Sequence, residues 1–203
     1  FKYKKIFTKK NKLYEDNNVD VVIELIGGIE VAYEFVCNAL TNKKHVITAN
    51  KELIATKGSV LMNLAKKNKC KLFFEASVAG AIPILKSIYS FLKGNDFKRI
   101  VGILNGTSNY ILTDIFRNKT SFKESLSKAQ KLGYAEADPA FDIEGTDVAH
   151  KLVILSSMIT QTFPKLSSFE ISGIKSILNI DLQVSYKFGY SIKLLGIIEK
   201  SND

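Results

Sequence analysis

The sequence is poor in cysteine and arginine, and each scarcity argues against a class of protein. Its 203 residues include two cysteines, Cys37 and Cys70, which are too few for a disulfide framework and lie in no Cys/His pattern of a zinc site. Both lie among apolar residues, so we expect buried, reduced thiols in a cytoplasmic protein. Arginine occurs only at Arg99 and Arg117. Because base recognition in DNA relies largely on arginine, a nucleic-acid partner is not expected.

Long hydrophobic runs and a secretory signal are also missing. The longest apolar stretch, near residues 152–155, falls far short of the roughly 20 residues that a membrane helix requires. The first residues contain no contiguous apolar core of the kind that secretory signals carry. We therefore expect no membrane partner.

The composition is that of a folded protein, with 46% apolar and 24% charged residues. The net charge of +9 is distributed unevenly, because residues 1–12 hold six lysines and no acidic residue. We interpret this segment as a solvated basic arm on a nearly balanced body. The alternative is an arm that contacts nucleic acid or an anionic membrane surface.

The first part of the sequence alternates between buried strands and amphipathic helices. An almost continuous β-branched run at 19–27 indicates a parallel strand covered on both faces. Further strands are predicted at 45–49 and 71–78, and helices at 30–40, 53–67 and 83–92, the last opening at Pro83. This alternation predicts an α/β fold with a doubly wound parallel sheet.

From residue 98 onwards helical patterns dominate. We predict a strand at 99–106, then helices at 108–116, 122–132 and 146–159, and a final strand-like run at 190–199. A boundary near residue 95 therefore divides the chain into residues 1–95 and an α+β domain at 96–203. The sequence contains no GxGxxG, the phosphate-binding motif of a complete dinucleotide fold. Either the fold binds no dinucleotide, or its first βαβ portion lies outside this chain.

The segment 133–151 concentrates acidic residues in a basic protein. Five carboxylates fall within twelve residues, and such crowding requires a metal, a ligand ammonium group or the next basic residue, Lys151. The spacing excludes an EF-hand. Asp147 and Lys151 are four residues apart on one helical face. They predict either a plain salt bridge or, because Lys151 precedes the apolar run 152–155, a lysine that acts as a proton donor.

Polar residues also follow the predicted strands. Asn50 and Lys51 lie at a carboxyl end, where open α/β sheets bind ligands. Glu75 precedes a turn of small residues, and its carboxylate with the carbonyl oxygens of that turn would suit a simple cation. The polar turn 105–110 leads into a helix whose first N–H groups could bind an oxygen-rich ligand. Each of these segments could also be an ordinary loop.

Together these segments carry a family resemblance. VDVVIELIGG, HVITANKELIA, FEASVAGAIP, GILNGTSNYILT and AQKLGYAEADPAFDIEGTDVAHKL, in this order, resemble homoserine dehydrogenase. The likeness runs from residue 19 to 155, and more loosely to 193–196. It implies NAD- or NADP-dependent interconversion of L-aspartate 4-semialdehyde and L-homoserine, in the pathway to threonine, methionine and isoleucine. It further implies a Rossmann-type first part, a catalytic and dimerisation domain and a homodimer.

The resemblance also implies roles for individual residues. Lys151 matches the family's proton-donating lysine and Asp147 its catalytic aspartate. Glu136 matches the acid that holds the substrate's amino group, in a pocket that is also lined by Gly106, Thr107, Tyr134 and Asp142. Gly27 matches a cofactor-contacting strand end, and Lys51 matches a lysine between cofactor and substrate. A sodium-like monovalent cation is implied at Glu75 and the backbone oxygens of Val78, Gly80 and Ile82.

The sequence departs from the family at its start, since the glycine-rich phosphate loop has no counterpart. We therefore expect a chain shorter than the family's full length at both ends. Two alternatives remain open. One is a related two-domain oxidoreductase with another small substrate, and the other is a catalytically silent or nucleic-acid-binding module that uses the basic arm.

Overall fold

The computed structural model describes residues 10–92 and 94–200, which divide into two units. The first unit runs up to Gly94 and also includes Ile154–Pro164. The second unit comprises Asn95–Val153 and the residues from Lys165 onwards. The functional roles predicted for residues 1–95 and 96–203 stay a prediction. The basic arm lies mostly outside the described residues.

The first unit is built on a parallel three-stranded sheet in the order β1-β2-β3. Val22 lies opposite Val46, which lies opposite Leu72, so the buried positions of the three strands are in register. The elements are α1 (Lys10–Glu15), β1 (Val21–Glu24), α2 (Glu30–Thr41), β2 (His45–Thr48), α3 (Lys51–Lys67), β3 (Leu72–Phe73) and α4 (Ile84–Phe91). The predicted α/β class with a parallel sheet is confirmed.

One face of this sheet forms the core of the first unit. Helices α2 and α3 pack on each other and on the sheet, and they bury side chains such as Leu40, Leu53 and Leu61 completely. On the other face, Ile23, Ile47 and Phe73 form an exposed row, with Ile23 61% exposed. The prediction that the first strand is covered on both faces is therefore wrong for the described residues, because α2 and α3 lie on the same side.

The strand predicted at 71–78 is also much shorter than expected. Only Leu72–Phe73 pairs in the sheet, and Glu75–Ser77 form a turn of 3-10 helix. Ala79 and Gly80 then adopt consecutive left-handed conformations, with φ of 59° and 57°. The 3-10 turn takes Glu75–Ser77 out of the sheet before these residues are reached, so the apolar composition of the segment was misleading.

The second unit combines helices with a small antiparallel sheet. Strands β4 (Arg99–Gly102) and β5 (Gly196–Glu199) pair with Val101 opposite Ile197. The helices are α5 (Gly106–Asn118), α6 (Phe122–Lys131), α7 (Ala140–Ile143), α8 (Thr146–Thr160), whose residues up to Val153 belong to this unit, and α9 (Asn179–Lys187). Its core contains Ile111, Ile115 and Val148. The strands predicted at 99–106 and 190–199 are shorter than expected, and α7 and α9 were not predicted.

Both cysteines are unpaired thiols, but they are half-buried rather than buried as predicted. Cys37 lies on α2, and Cys70 follows the end of α3. Burial raises the pKa of each thiol above its ordinary value. Within the described ranges, no helix has both the length and the apolar character needed to cross a membrane.

Candidate active site

A buried asparagine at the start of α5 brings two carboxylates of the acidic segment together. Asn105 is 4% exposed, and its Oδ1 accepts the N–H of Ser108 at 2.8 Å, which caps the helix. Its Nδ2 donates to Asp142 Oδ1 at 2.7 Å and to Asp147 Oδ2 at 2.9 Å. One side-chain amide therefore caps the helix and bridges α7 to α8.

Lys151 lies one turn after Asp147 on α8 and completes this cluster. Its Nζ donates to Asp147 Oδ2 at 2.7 Å and to the backbone oxygen of Leu104. The side chains of Asp147 and Lys151 are 4% and 17% exposed. A charge pair so shielded from water interacts more strongly than an exposed helical pair. The predicted i,i+4 salt bridge is therefore present, although it is largely shielded from water, and proton donation by Lys151 stays a prediction.

The junction between α7 and α8 fixes the two aspartates. Gly145 allows the turn between the helices with a φ of 89°. A later segment packs against this junction, where Ile174 N–H donates to Ile143 O at 2.8 Å. Gly173 permits that approach, because a Cβ at this position would lie 2.3 Å from the same oxygen. Ser108 Oγ donates to Asp142 O at 2.9 Å and ties the start of α5 to α7.

Three further predicted residues lie near the start of α5. Gly106 is its first residue, and the space where a Cβ would project is open. Thr107 is buried and donates its hydroxyl to Tyr134 O at 2.5 Å. The exposed ring of Tyr134 packs on Tyr110 at 5.0 Å between centroids. The structure thus brings Gly106, Thr107 and Tyr134 to one region.

The remaining acids of the segment have separate environments. Glu144 forms an exposed ion pair with Lys175 at 2.6 Å, and Asp138 accepts the N–H of Ala140 at the start of α7. Glu136 is exposed in the loop before α7, and its backbone oxygen accepts a hydrogen bond from Gln130. Among the described residues, its carboxylate takes no part in the bonds that hold Asp142 and Asp147 together. No group of three or more metal-ligating side chains occurs within 10–92 or 94–200.

In the first unit, a second buried carboxylate organises the carboxyl ends of β1 and β2. Glu24 is fully buried and accepts N–H bonds from Ile26 at 2.6 Å and Gly27 at 3.3 Å. Its other oxygen accepts the hydroxyl of Thr48 at 2.5 Å. Gly27 and the next glycine both have positive φ, of 78° and 66°, and a Cβ on either would meet open space.

The start of α3 is joined to this glycine turn. Asn50 caps the helix through Oδ1, which accepts the N–H of Leu53 at 3.0 Å. Its Nδ2 donates to Gly28 O at 2.6 Å, so the turn after β1 is held against the end of β2. Lys51 is the first residue of α3 and is half-buried. Gly27, in the turn after β1, and Lys51, at the start of α3, therefore both lie at the edge where parallel sheets bind ligands.

Glu75 lies in the 3-10 turn after β3 and caps α4. Its two carboxylate oxygens accept the N–H groups of Leu85 at 2.9 Å and Lys86 at 2.8 Å. Val78 is buried, whereas Gly80 and Ile82 are exposed in the same loop. The backbone oxygen of Ile82 accepts the N–H of Ile84 at 2.8 Å. All four residues predicted to hold a cation thus belong to one loop.

Sequence reasoning missed the two residues that organise these sites, Asn105 and Glu24. A signal existed for each. Asparagine directly before a helix is a favoured cap, and Asn105 begins the helical segment in NGTSNY. Glu24 is an acid inside an otherwise apolar strand, a position where a buried carboxylate needs hydrogen-bond donors. What the sequence could not supply was the identity of those donors, such as Thr48.

Comparison with protein-family models gives two matches that together span most of the chain. Residues 83–202 match the family "Homoserine dehydrogenase", and residues 1–75 match "Homoserine dehydrogenase, NAD binding domain". Curated relatives agree. The chain is 44% identical to homoserine dehydrogenase of Bacillus subtilis over 193 residues, 95% of this chain and 45% of the relative. It is 47% identical to that of Helicobacter pylori, over 94% of this chain and 45% of the relative.

Solved structures show the same likeness. A homoserine dehydrogenase from Thiobacillus denitrificans superposes with a TM-score of 0.93 at 42% identity, over 96% of this chain and 45% of that one. A hyperthermophilic archaeal homoserine dehydrogenase in complex with NADPH gives 0.80 at 28% identity, over 95% of this chain and 56% of that one. The chain thus spans about half the length of its relatives. With its sites and these matches taken together, it belongs to the homoserine dehydrogenase family.

Proposed function

We propose that the protein interconverts L-homoserine and L-aspartate 4-semialdehyde, with NAD or NADP as hydride carrier. The observation that carries this proposal is Lys151, an ammonium group held by Asp147 and Leu104 beside a bridged pair of carboxylates. Family membership supplies the substrate class. The substrate is a zwitterionic amino acid whose reacting oxygen exchanges a proton. This unit contains carboxylates that can bind the ammonium group and a lysine that can exchange the proton.

Substrate binding uses the acidic residues and the start of α5. Glu136 and Asp142 supply negative charge for the substrate ammonium group, and Glu136 is exposed and accessible to it. Gly106 is a first-turn residue of α5, where backbone N–H groups favour an anionic group such as the substrate carboxylate. Thr107 and Tyr134 line the same pocket.

Lys151 performs the proton transfer. In the reduction direction its ammonium group donates a proton to the aldehyde oxygen as negative charge develops there. In the oxidation direction the neutral amine accepts the hydroxyl proton. Its bonds to Asp147 and Leu104 occupy two of its three donors, which leaves one N–H for a substrate oxygen. Asp147 holds Nζ in place through the bond at 2.7 Å.

The cofactor region of this chain consists of Gly27 and Lys51. The open space above the glycine turn allows close approach of a ligand, and this fits a nicotinamide cofactor at the carboxyl ends of β1 and β2. The cofactor supplies or receives the hydride when it is bound. Glu24 and Asn50 keep the turn and the start of α3 in register with each other.

A monovalent, sodium-like cation at Glu75 and the backbone oxygens of Val78, Gly80 and Ile82 is part of this proposal. The donor chemistry supports it, because carboxylate and carbonyl oxygens are hard ligands. Each Glu75 oxygen accepts one N–H and retains a second lone pair.

We further propose a cytoplasmic homodimer. The small sheet of the second unit exposes Val101 and Ile197, paired side by side, on its outer face. Apolar surface of this kind is typical of association sites. Sedimentation equilibrium checks the proposal, and a mass equal to one polypeptide would contradict it.

Glu136→Gln tests the substrate assignment in the intact protein. Removal of the charge that faces the substrate ammonium group should raise KM for homoserine by about 10- to 100-fold, with a smaller effect on kcat. The assay follows formation of the reduced nicotinamide at varied homoserine concentration. Glu144→Gln is the matched control, because Glu144 lies in the same segment but pairs with Lys175.

Two results would contradict the proposal. An intact wild-type protein that oxidises no homoserine with either NAD or NADP would exclude the activity. An unchanged KM in Glu136→Gln would remove Glu136 from the substrate site.

A further inference from the structure

We propose that Asn105 is the positioning residue of this site, and that its side-chain amide holds Asp142 and Asp147 together and, through Asp147, fixes the proton-donating Nζ of Lys151. This inference rests on the proposed function and assigns a role to a residue outside the predicted set. Asn105 itself makes no proton transfer. It acts on the reaction through the groups that it orients.

The orientation of the Asn105 amide is determined by its surroundings. Its oxygen accepts the Ser108 N–H at 2.8 Å, so the amide nitrogen must face the carboxylates. Each of the two N–H bonds of that nitrogen then has its own acceptor, on Asp142 and on Asp147. A flipped amide would place an oxygen against two carboxylates and lose all three hydrogen bonds.

The backbone of Asn105 is held as firmly as its side chain. Its carbonyl oxygen accepts a hydrogen bond from Asn109 Nδ2 at 2.9 Å, one turn further along α5. Asn109 in turn pairs with both backbone groups of Leu194, as a donor at 3.2 Å and as an acceptor at 3.1 Å. These contacts anchor the first turn of α5, so the amide is presented in one place.

The bridge matters because it brings two like charges together. Two carboxylate oxygens that share one amide nitrogen repel each other, and the repulsion grows with burial. The two N–H dipoles offset that repulsion without adding a charge. They also hold Asp147 Oδ2 where it can accept the Lys151 Nζ at 2.7 Å. Leu104, the preceding residue, accepts a second bond from the same Nζ.

The same turn therefore positions Lys151 from two sides, directly through Leu104 and indirectly through Asn105 and Asp147. The titratable groups on the segments that make these contacts are Tyr110, Asp114 and Arg117 on α5, Asp142 on α7, Glu144 between α7 and α8, Asp147, His150 and Lys151 on α8, Tyr134, Glu136 and Asp138 in the loop before α7, and Lys193 beside Leu194.

Two substitutions remove the bridge between the carboxylates while they keep the helix cap. Asn105→Ser and Asn105→Asp both keep a favoured capping side chain, so neither should uncap α5. Serine is too short to reach both carboxylates. Aspartate has the size of asparagine but places a third carboxylate against the other two.

In homoserine oxidation by the intact protein, Asn105→Ser should lower kcat by about 10- to 100-fold, which is the order expected for a misplaced proton-transfer group. KM should change less than about fivefold. Asn105→Asp should lose on the order of 1000-fold in kcat at pH 8. Its deficit relative to wild type should shrink at least tenfold by about pH 5.5. The crowded carboxylates then bind a proton, and the introduced carboxyl group, once protonated, donates a hydrogen bond as the amide does.

Thermal unfolding provides a readout that does not depend on activity. The Tm deficit of Asn105→Asp should be about 5 °C or more at pH 8 and should diminish towards pH 5, because the penalty for crowding a third carboxylate builds up as the pH rises from the pKa of that group in the unfolded chain to its higher pKa in the folded variant. Ser121→Ala is the control. It removes the cap of α6, whose Ser121 Oγ accepts the N–H of Glu124 at 3.2 Å, and should cost stability equally at both pH values with kcat unchanged.

The inference is overturned if Asn105→Ser keeps wild-type kcat, or if the kcat and Tm deficits of Asn105→Asp stay constant with pH. If wild type oxidises no homoserine, the proposed function fails. The Tm series then still decides whether the amide bridges the carboxylates.

Discussion

At the scale of single residues, the chain buries charge where it needs fixed geometry. Glu24 is fully buried, yet its carboxylate accepts three hydrogen bonds, from Ile26, Gly27 and Thr48. A buried carboxylate without donors would cost several kcal/mol, so these bonds are a condition of its burial. In return, the carboxylate determines the path of the glycine turn that we assign to the cofactor.

Glu24→Gln tests this role in the intact protein. Glutamine keeps one acceptor oxygen but loses the charge that strengthens the three hydrogen bonds of Glu24, so we expect the free energy of unfolding to fall by about 1–3 kcal/mol in urea titrations. Displacement of the glycine turn should also raise KM for the nicotinamide cofactor about tenfold.

Glu30→Gln is the matched control for this substitution. Glu30 is exposed in the first turn of α2, where loss of its charge should cost only about 0.5 kcal/mol and leave both KM values unchanged. Equal stability losses in the two variants would show that burial of Glu24 has no special energetic role.

At the scale of elements, a buried aspartate joins helices α5 and α6. Burial alone would raise the pKa of Asp114, but hydrogen bonds from Ser125, Asn118, Thr120 and Lys128 outweigh it and lower that pKa to about 2. Ser125 and Lys128 lie on α6, and Ser125 Oγ donates at 2.6 Å. The Asp114 side chain thus connects the second half of α5, the helix that Asn105 caps, to α6.

The lowered pKa predicts a pH-dependent stability. Asp114 is ionised in the folded state down to about pH 2, whereas in the unfolded chain it titrates near its ordinary value of 3.8. Its contribution is therefore complete above about pH 4 and is lost as the pH falls towards 2. Asp114→Asn should be less stable than wild type by on the order of 2 kcal/mol at pH 7, and the difference should narrow below pH 4.

Asp96→Asn controls for general charge effects in this titration. Asp96 pairs with Lys200 at 2.8 Å, but both side chains are mostly exposed. Its removal should change stability by less than about 0.5 kcal/mol at either pH. A difference between wild type and Asp114→Asn that stays constant from pH 7 to pH 3 would contradict the ionised network.

At the scale of the whole molecule, hydrophobic periodicity predicted most helices and the parallel sheet. Helix α6 begins at the predicted residue, Phe122, and α8 at Thr146. The strand predicted at 71–78 failed because its apolar composition does not reveal the 3-10 turn at Glu75–Ser77, which follows directly after the two paired residues. Helix α9 was missed because its apolar residues, among them Ile180 and Val184, lie largely on the exposed surface and give little amphipathic contrast.

The candidate site could be predicted only in part, because sequence spacing reveals contacts within one helix but not contacts between distant segments. Asp147 and Lys151 share a helical face, which the spacing alone indicates. The connection from Asp142 to Asp147 through Asn105 spans 37 and 42 residues of sequence, and no local pattern encodes such a contact. Long-range hydrogen bonds depend on the packed fold, so the organising residue became visible only in the structure.

Lys151 is the residue that we assign to the transfer of the substrate hydroxyl proton. The most direct test of this role is the kcat of Lys151→Met for homoserine oxidation in the intact protein. Circular dichroism verifies that the variant is folded, because Asp147 loses its buried partner. Lys175→Met, which removes a lysine from an exposed pair with Glu144, is the control and should keep wild-type kcat. We predict that kcat of Lys151→Met falls by about 10²- to 10⁴-fold. A folded Lys151→Met protein with near-normal kcat would exclude Lys151 as the proton-transfer group.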